Sequence, residues 1–202
     1  GVDAPGGALS VALKYMLAKC HVAISQVQQI GLSANVPTAM IAGQLNYAVL
    51  HLDGLMAVEA QTKEQPKIIM DFGSALPVYH NMLVIVRRDK LAADRDQYVR
   101  VIAGMIAAEH YVRDPANRAT VAKIAAVTGR SEAEALRALD EYVKMDFWPH
   151  DSAGLAKANI EAVAKVQKDA GNIRPGKTPP SYERVVDPSI FADAMVLVKK
   201  TP

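Results

Sequence analysis

A single cysteine, Cys20, stands among 202 residues, so no disulfide can close within the chain. That fits a reducing compartment and does not exclude an oxidising one. An excess of one charge is missing too. With 23 Lys and Arg against 21 Asp and Glu the net charge is +2, and the basic residues are scattered, which leaves no electrostatic footprint for nucleic acid. No apolar run reaches the length of a membrane span. The glycines near the start are not followed by Gly-Lys-Ser/Thr, which excludes a Walker loop, and G-x-G-x-x-G is absent, which excludes a dinucleotide fingerprint. His21, His51, His80, His110 and His150 never fall at metal-ligand spacing, so neither a metal nor any other cofactor is expected. No serine lies in a G-x-S-x-G elbow. The carboxylate pairs Asp94/Asp96 and Glu132/Glu134 sit at helix starts, where capping and the helix dipole account for them.

What is present is an ordinary globular composition, 50% apolar and 22% charged, long enough to bury a core as one domain or two small ones. The stretch from Val2 to Leu17 organises the rest. Val2-Asp3-Ala4 reads as a strand end, Pro5-Gly6-Gly7 as a tight turn, and Ala8 to Lys19 as a helix with Leu9, Leu13, Met16 and Leu17 on one face. The first amides of such a helix lack internal partners and can receive an anionic or carbonyl oxygen, with Ser10 adding a hydroxyl. Taken alone, the turn reads as a plain connection.

Farther on, short apolar strands are expected at 27–30, 46–50, 67–71 and 81–88, alternating with helices at 37–42 and 55–62. Such alternation implies an α/β unit with parallel pairing and right-handed crossovers. In a sheet of that kind, ligands lie beyond the carboxyl ends of the strands. The loops Ala4–Gly7, Gly31–Asn35 and His51–Asp53 would then meet at one edge. After residue 88 the chain reads as nearly all helix, with a Pro/Gly-containing loop from Arg174 to Pro180. Asp114-Pro115 opens one helix, Ser131-Glu132-Ala133-Glu134 spells a capping box for another to about Lys144, Ser152 to Ala170 makes a third, and Asp187-Pro188 starts the last. The expected division is an α/β lobe at 1–80, then a crossing strand with C-terminal helices at 81–202. The methionines and Trp148 read as packing residues, His110 and His150 as structural. His51 and His80 read equally as satisfied surface histidines or ligand contacts.

Several spellings resemble the ABC-transporter solute-binding proteins of the nitrate/sulfonate/taurine type, the NMT1/THI5-like family. These are Gly-Val-Asp-Ala-Pro-Gly-Gly-Ala before a helix, Ala39-Met40-Ile41-Ala42-Gly43-Gln44-Leu45-Asn46-Tyr47-Ala48-Val49, the strand from Asn81 to Asp89, Ala170-Gly171-Asn172-Ile173, and Val185-Val186-Asp187-Pro188-Ser189. Departures are Asn46 in place of an acid, Ala48 to Asp53 in place of an aromatic-rich run, and Pro5-Gly6-Gly7 in place of Gly-Ser-Ser. The resemblance implies the second lobe of a type II periplasmic-binding-protein fold plus the helical part that returns to a first lobe. The opening Gly1 at a strand lip suits a chain that begins mid-protein, with that first lobe missing.

The resemblance further implies a non-enzymatic, periplasmic solute-binding component of an ABC importer, with a membrane permease as partner. It would capture a small polar or anionic organic molecule in an interlobe cleft. Gly6 and Gly7 amides and Ser10 would hold an oxygen, Ser33 and Asn35 would add polar contacts, and His51 and Tyr79 would flank the solute. Exposed apolar faces left by the missing lobe suggest a homo-oligomer. Alternatives are a pyrimidine-precursor enzyme on the same architecture, for which the usual cysteine-rich stretch is lacking, and an effector-sensing domain of a transcription regulator, against which the long helical second half speaks.

Overall fold

A computed structural model describes residues 1–62, 65–76, 78–80, 82–148 and 154–200. Asn81, at the head of the expected crossing strand, His150, and Ser152, the expected start of a late helix, lie outside the described residues. Among the described residues the structure is 63% helix and 1% strand and forms no sheet. The expected α/β, type II periplasmic-binding-protein-like fold is therefore corrected: the four strand-like stretches do not assemble.

The reason is visible in the backbone. Residues 1–3 begin a parallel arrangement. On one side the Val2 N–H donates to the Ile30 carbonyl at 3.0 Å, the Leu32 N–H to Val2 at 3.0 Å, and the Ser33 N–H to Asp3 at 2.8 Å. On the other, the Gly1 amino group donates to Tyr47 at 2.7 Å and the Val49 N–H to Gly1 at 3.0 Å. Among the described residues a single true bridge results, Val2 with Gly31. Pairing stops because Pro5 has no N–H to offer and Ser33 turns away with φ +52°. Neither 67–70 nor 82–86 exchanges a backbone hydrogen bond with another described residue. Strand propensity counts only where a neighbouring strand supplies partners.

The chain divides into two compact units, Gly1–Asn81 with Glu161–Pro179, and Met82–Ile160 with Pro180–Pro202. In the first unit lie α1 (Ala8–Lys19), α2 (Val36–Ile41), α3 (Leu52–Gln61) and α4 (Phe72–Ala75). Stretch 46–50 is irregular, and 51–54, expected as a loop, instead opens α3 from an N-cap at His51. Asp71, expected to end a strand, caps α4 by accepting the Ser74 N–H at 2.8 Å. Pro37 occupies the first turn of α2, where its missing N–H is not needed. The unit's core joins Val11 of α1 to Leu76 and Val166, with Tyr15, Phe72, Tyr79 and Ala170 packed around them. Lys14 fastens the same region by donating to the Asp169 carbonyl at 2.6 Å.

The second unit holds α5 (Arg88–Ala93), α6 (Arg95–Arg113), α7 (Arg118–Ala126), α8 (Glu132–Lys144), α10 (Tyr182–Val185) and α11 (Pro188–Lys200). Helix α9 (Lys157–Asp169) gives the first unit its residues from Glu161 onward. Val99, Ala103 and Ile106 recur at helical spacing on α6 and pack on Ile190 and Ala194 of α11. The alanines let the two backbones approach closely. Arg95 adds an ion pair to Asp193 at 2.6 Å. Helix α8 starts at the capping box that its spelling predicts: the Glu134 N–H donates to Ser131 Oγ at 3.2 Å, and the Ser131 N–H to Glu134 Oε2 at 2.8 Å. Arg118 joins α7 to α8 by a forked pair with Asp140.

Candidate functional site

The candidate site is the mouth of α1, and its geometry alters the role expected of the helix amides. The Pro5-Gly6-Gly7 turn carries Gly6 at φ +79°. The Gly7 N–H donates to the Ala4 carbonyl at 2.9 Å. The Gly6 N–H donates to Ser10 Oγ at 3.2 Å. The Leu9 N–H reaches Asp3 Oδ2 at 3.4 Å. These amides already have partners inside the chain, and a carboxylate already stands where an anion was expected. A Cβ on Gly7 would lie 2.5 Å from Asp3 Oδ2, so the absence of a side chain there makes room for that carboxylate.

Around this turn runs a chain of neutral polar groups. Ser10, buried in α1, donates its hydroxyl to Gln29 Oε1 at 2.6 Å while accepting from Gly6. Asn172 donates to the Gly6 carbonyl at 3.0 Å and to Gln167 Oε1 at 2.6 Å. Gln167 in turn donates to the Tyr79 hydroxyl at 3.0 Å. Tyr79 is steadied by an edge-on contact with Phe72, ring centroids 5.2 Å apart. Its hydroxyl is held above the usual phenol range, chiefly by burial, with the negative charge of Asp3 adding to the effect and the Gln167 donor opposing it. Tyr79 therefore stays a neutral hydroxyl. Asp3 Oδ1 is shielded from solvent and has no hydrogen-bond partner among the described residues.

Of the sequence-predicted residues, Gly6, Gly7, Ser10 and Tyr79 fall within this cluster. Ser33 joins it through its backbone alone, bonded to Asp3 while its side chain is exposed. Asn35 precedes α2 and His51 precedes α3; both are exposed, and neither side chain caps its helix. The loops bearing Ser33 and His51 nonetheless both reach residues 1–3 through the backbone bonds described above. Gln29, Gln167 and Asn172 escaped the sequence reading. The one readable signal was Ala170-Gly171-Asn172, a helix stop, where Gly171 takes φ +87° and aims the next residue back over the chain.

Among the described residues no helix is long and apolar enough to cross a membrane, and no three His, Cys, Asp or Glu side chains gather as a metal site. Set against protein-family models, curated proteins and solved structures, the chain finds no match.

Proposed function

We propose that the chain is a non-enzymatic binding protein for a small polar solute, seated at the mouth of α1 and serving an ABC importer outside the cytoplasm. The observation that carries the reading is the hydrogen-bonded run Gln29–Ser10–Gly6–Asn172–Gln167–Tyr79. It alternates donors and acceptors and carries no net charge, which suits a guest that offers both. Two connections distant in sequence, one through Ile30 to Ser33 and one through Tyr47 and Val49, reach residues 1–3 beside it, as binding sites built from loops commonly do. Asp3 tilts the choice of solute. Its shielded oxygen rewards a ligand N–H or O–H and repels an anion, so a neutral or donor-bearing molecule suits the site better than a sulfonate or carboxylate. A membrane permease would be the partner that receives the solute.

The test is thermal unfolding of the full chain with polyols, amides, amino acids, sulfonates and carboxylates. A ligand at a hundred times its Kd adds about 2.7 kcal/mol, roughly 5–10 °C in Tm for a chain of this size. Stabilisation by a neutral or donor-bearing solute is expected, and Ser10→Ala with Asn172→Leu should abolish it. If no solute stabilises the wild-type chain, or the double variant responds equally, the proposal fails.

A further inference from the structure

Wholly within the second unit, α6 and α11 leave an open groove of about 440 Å³ beside their packed seam. That volume falls among those of small-ligand sites, roughly 300–1,000 Å³. Two matching stripes line it. Asp96, Val99 and Arg100 come from α6, and Asp193, Val196 and Leu197 from α11. Each set has the i, i+3, i+4 spacing that makes side chains neighbours on one helix face. Arg95 completes the wall and is already engaged, to Asp193 at 2.6 Å and to Ser189 Oγ at 2.9 Å. Asp96 and Arg100 are exposed and not engaged. Although one helical turn separates them, their side chains hold no hydrogen bond or ion pair with each other or with any other described residue.

We infer that this groove binds an α-amino acid with an apolar side chain, its carboxylate on the Arg100 guanidinium and its ammonium on the Asp96 carboxylate. Charge makes the choice. Arg95 and Asp193 neutralise each other, which leaves one cation and one anion unmatched. A simple anion would meet Arg100 but face the Asp96 carboxylate. A simple amine would meet Asp96 but face the Arg100 guanidinium. A ligand that carries both charges a short distance apart satisfies both groups and repels neither. Residues four apart on a helix stand about 5–6 Å apart at Cβ, a gap that a zwitterion can bridge. The apolar side chain has a surface to cover. Val99 belongs to the α6–α11 core, while Val196 is 49% exposed and Leu197 36%, so seating a ligand on them removes apolar area from water. The inference does not rest on the solute proposed for the mouth of α1.

Amide NMR of the full chain tests it, by titration with leucine, with isocaproate, which lacks the ammonium, and with isoamylamine, which lacks the carboxylate. Leucine should shift the signals of residues 95–100 and 193–197 in a saturable way. Each single-charge analogue should bind at least about tenfold more weakly, the worth of one charge-assisted hydrogen bond. Arg100→Gln and Asp96→Asn should each weaken leucine by a similar factor, with an unchanged circular-dichroism spectrum because both side chains are exposed. Ser10→Ala with Asn172→Leu should leave these shifts intact. No saturable shift in either stretch, an analogue that binds as tightly as leucine, wild-type affinity in either charge variant, or loss of the shifts in the Ser10 and Asn172 variant would each overturn the inference.

Discussion

Gly6 and Gly7 are neighbours with different reasons for lacking a side chain. Gly6 holds φ +79°, a conformation costly for any other L-residue, and a Cβ there would stand 3.3 Å from Asn172 Oδ1. Gly6→Ala should cost about 1–2 kcal/mol from backbone strain alone. Gly7 has φ −69°, which alanine adopts freely, but its Cβ would strike the Asp3 carboxylate and loosen the Leu9 cap. Gly7→Ala in an Asp3→Ala background should therefore cost less than Gly7→Ala alone, and urea unfolding of the four chains in a double-mutant cycle measures the difference. Equal costs in the two backgrounds would deny the clash. These glycines were legible because turn chemistry is local. Asn172 was not: it stands 166 positions from Gly6, and a lone side-chain amide leaves no periodic trace.

At the level of elements, the helices could be read and the strands could not. α1, α8 and α11 start where their spelling places them because a helix closes its own hydrogen bonds and carries its caps in sequence. The stretches at 27–30, 46–50, 67–71 and 81–88 share strand composition, yet a strand depends on neighbours that no single stretch specifies. Helix α8 offers the clearest test. Two of its carboxylates sit below their ordinary values, Glu134 through hydrogen bonds from the Ser131 backbone and side chain, and Asp140 through the Arg118 guanidinium. A carboxylate depressed in the folded state stabilises above its unfolded value and loses that contribution as pH falls through the folded one. The stability of α8 should thus hold at neutral pH and decline below the ordinary values of 4.5 and 3.8. Both groups are largely solvent-screened, so the decline should be modest. Ser131→Ala should cost about 1 kcal/mol at pH 7 and less in acid, at a pH low enough to protonate Glu134. Hydrogen exchange over residues 132–144 at both pH values would register it; a gap that does not narrow would deny the reciprocal bond its role.

Over the whole chain, the shift from mixed to purely helical spelling sets the expected boundary between 80 and 81, whereas the compact units are defined by packing and mix 1–81 with 161–179. The return of 161–179 to the first unit was not legible, because it depends on Val166 finding Val11 and Leu76, and an apolar position on an amphipathic helix does not name its partner. The two units have separate cores, one on Val11, Leu76 and Val166, the other on Val99, Ala103, Ile106, Ile190 and Ala194. Local opening follows such cores. Ile106→Ala removes buried apolar volume between α6 and α11 and should cost about 2–5 kcal/mol. Its effect on native-state hydrogen exchange should concentrate in α6 and α11 and leave α1 and residues 161–169 near their wild-type protection. Leu76→Ala, of similar cost, should do the converse. If either substitution lowers protection evenly along the chain, the two cores open as one cooperative body. The division into units would then describe packing density and not folding behaviour.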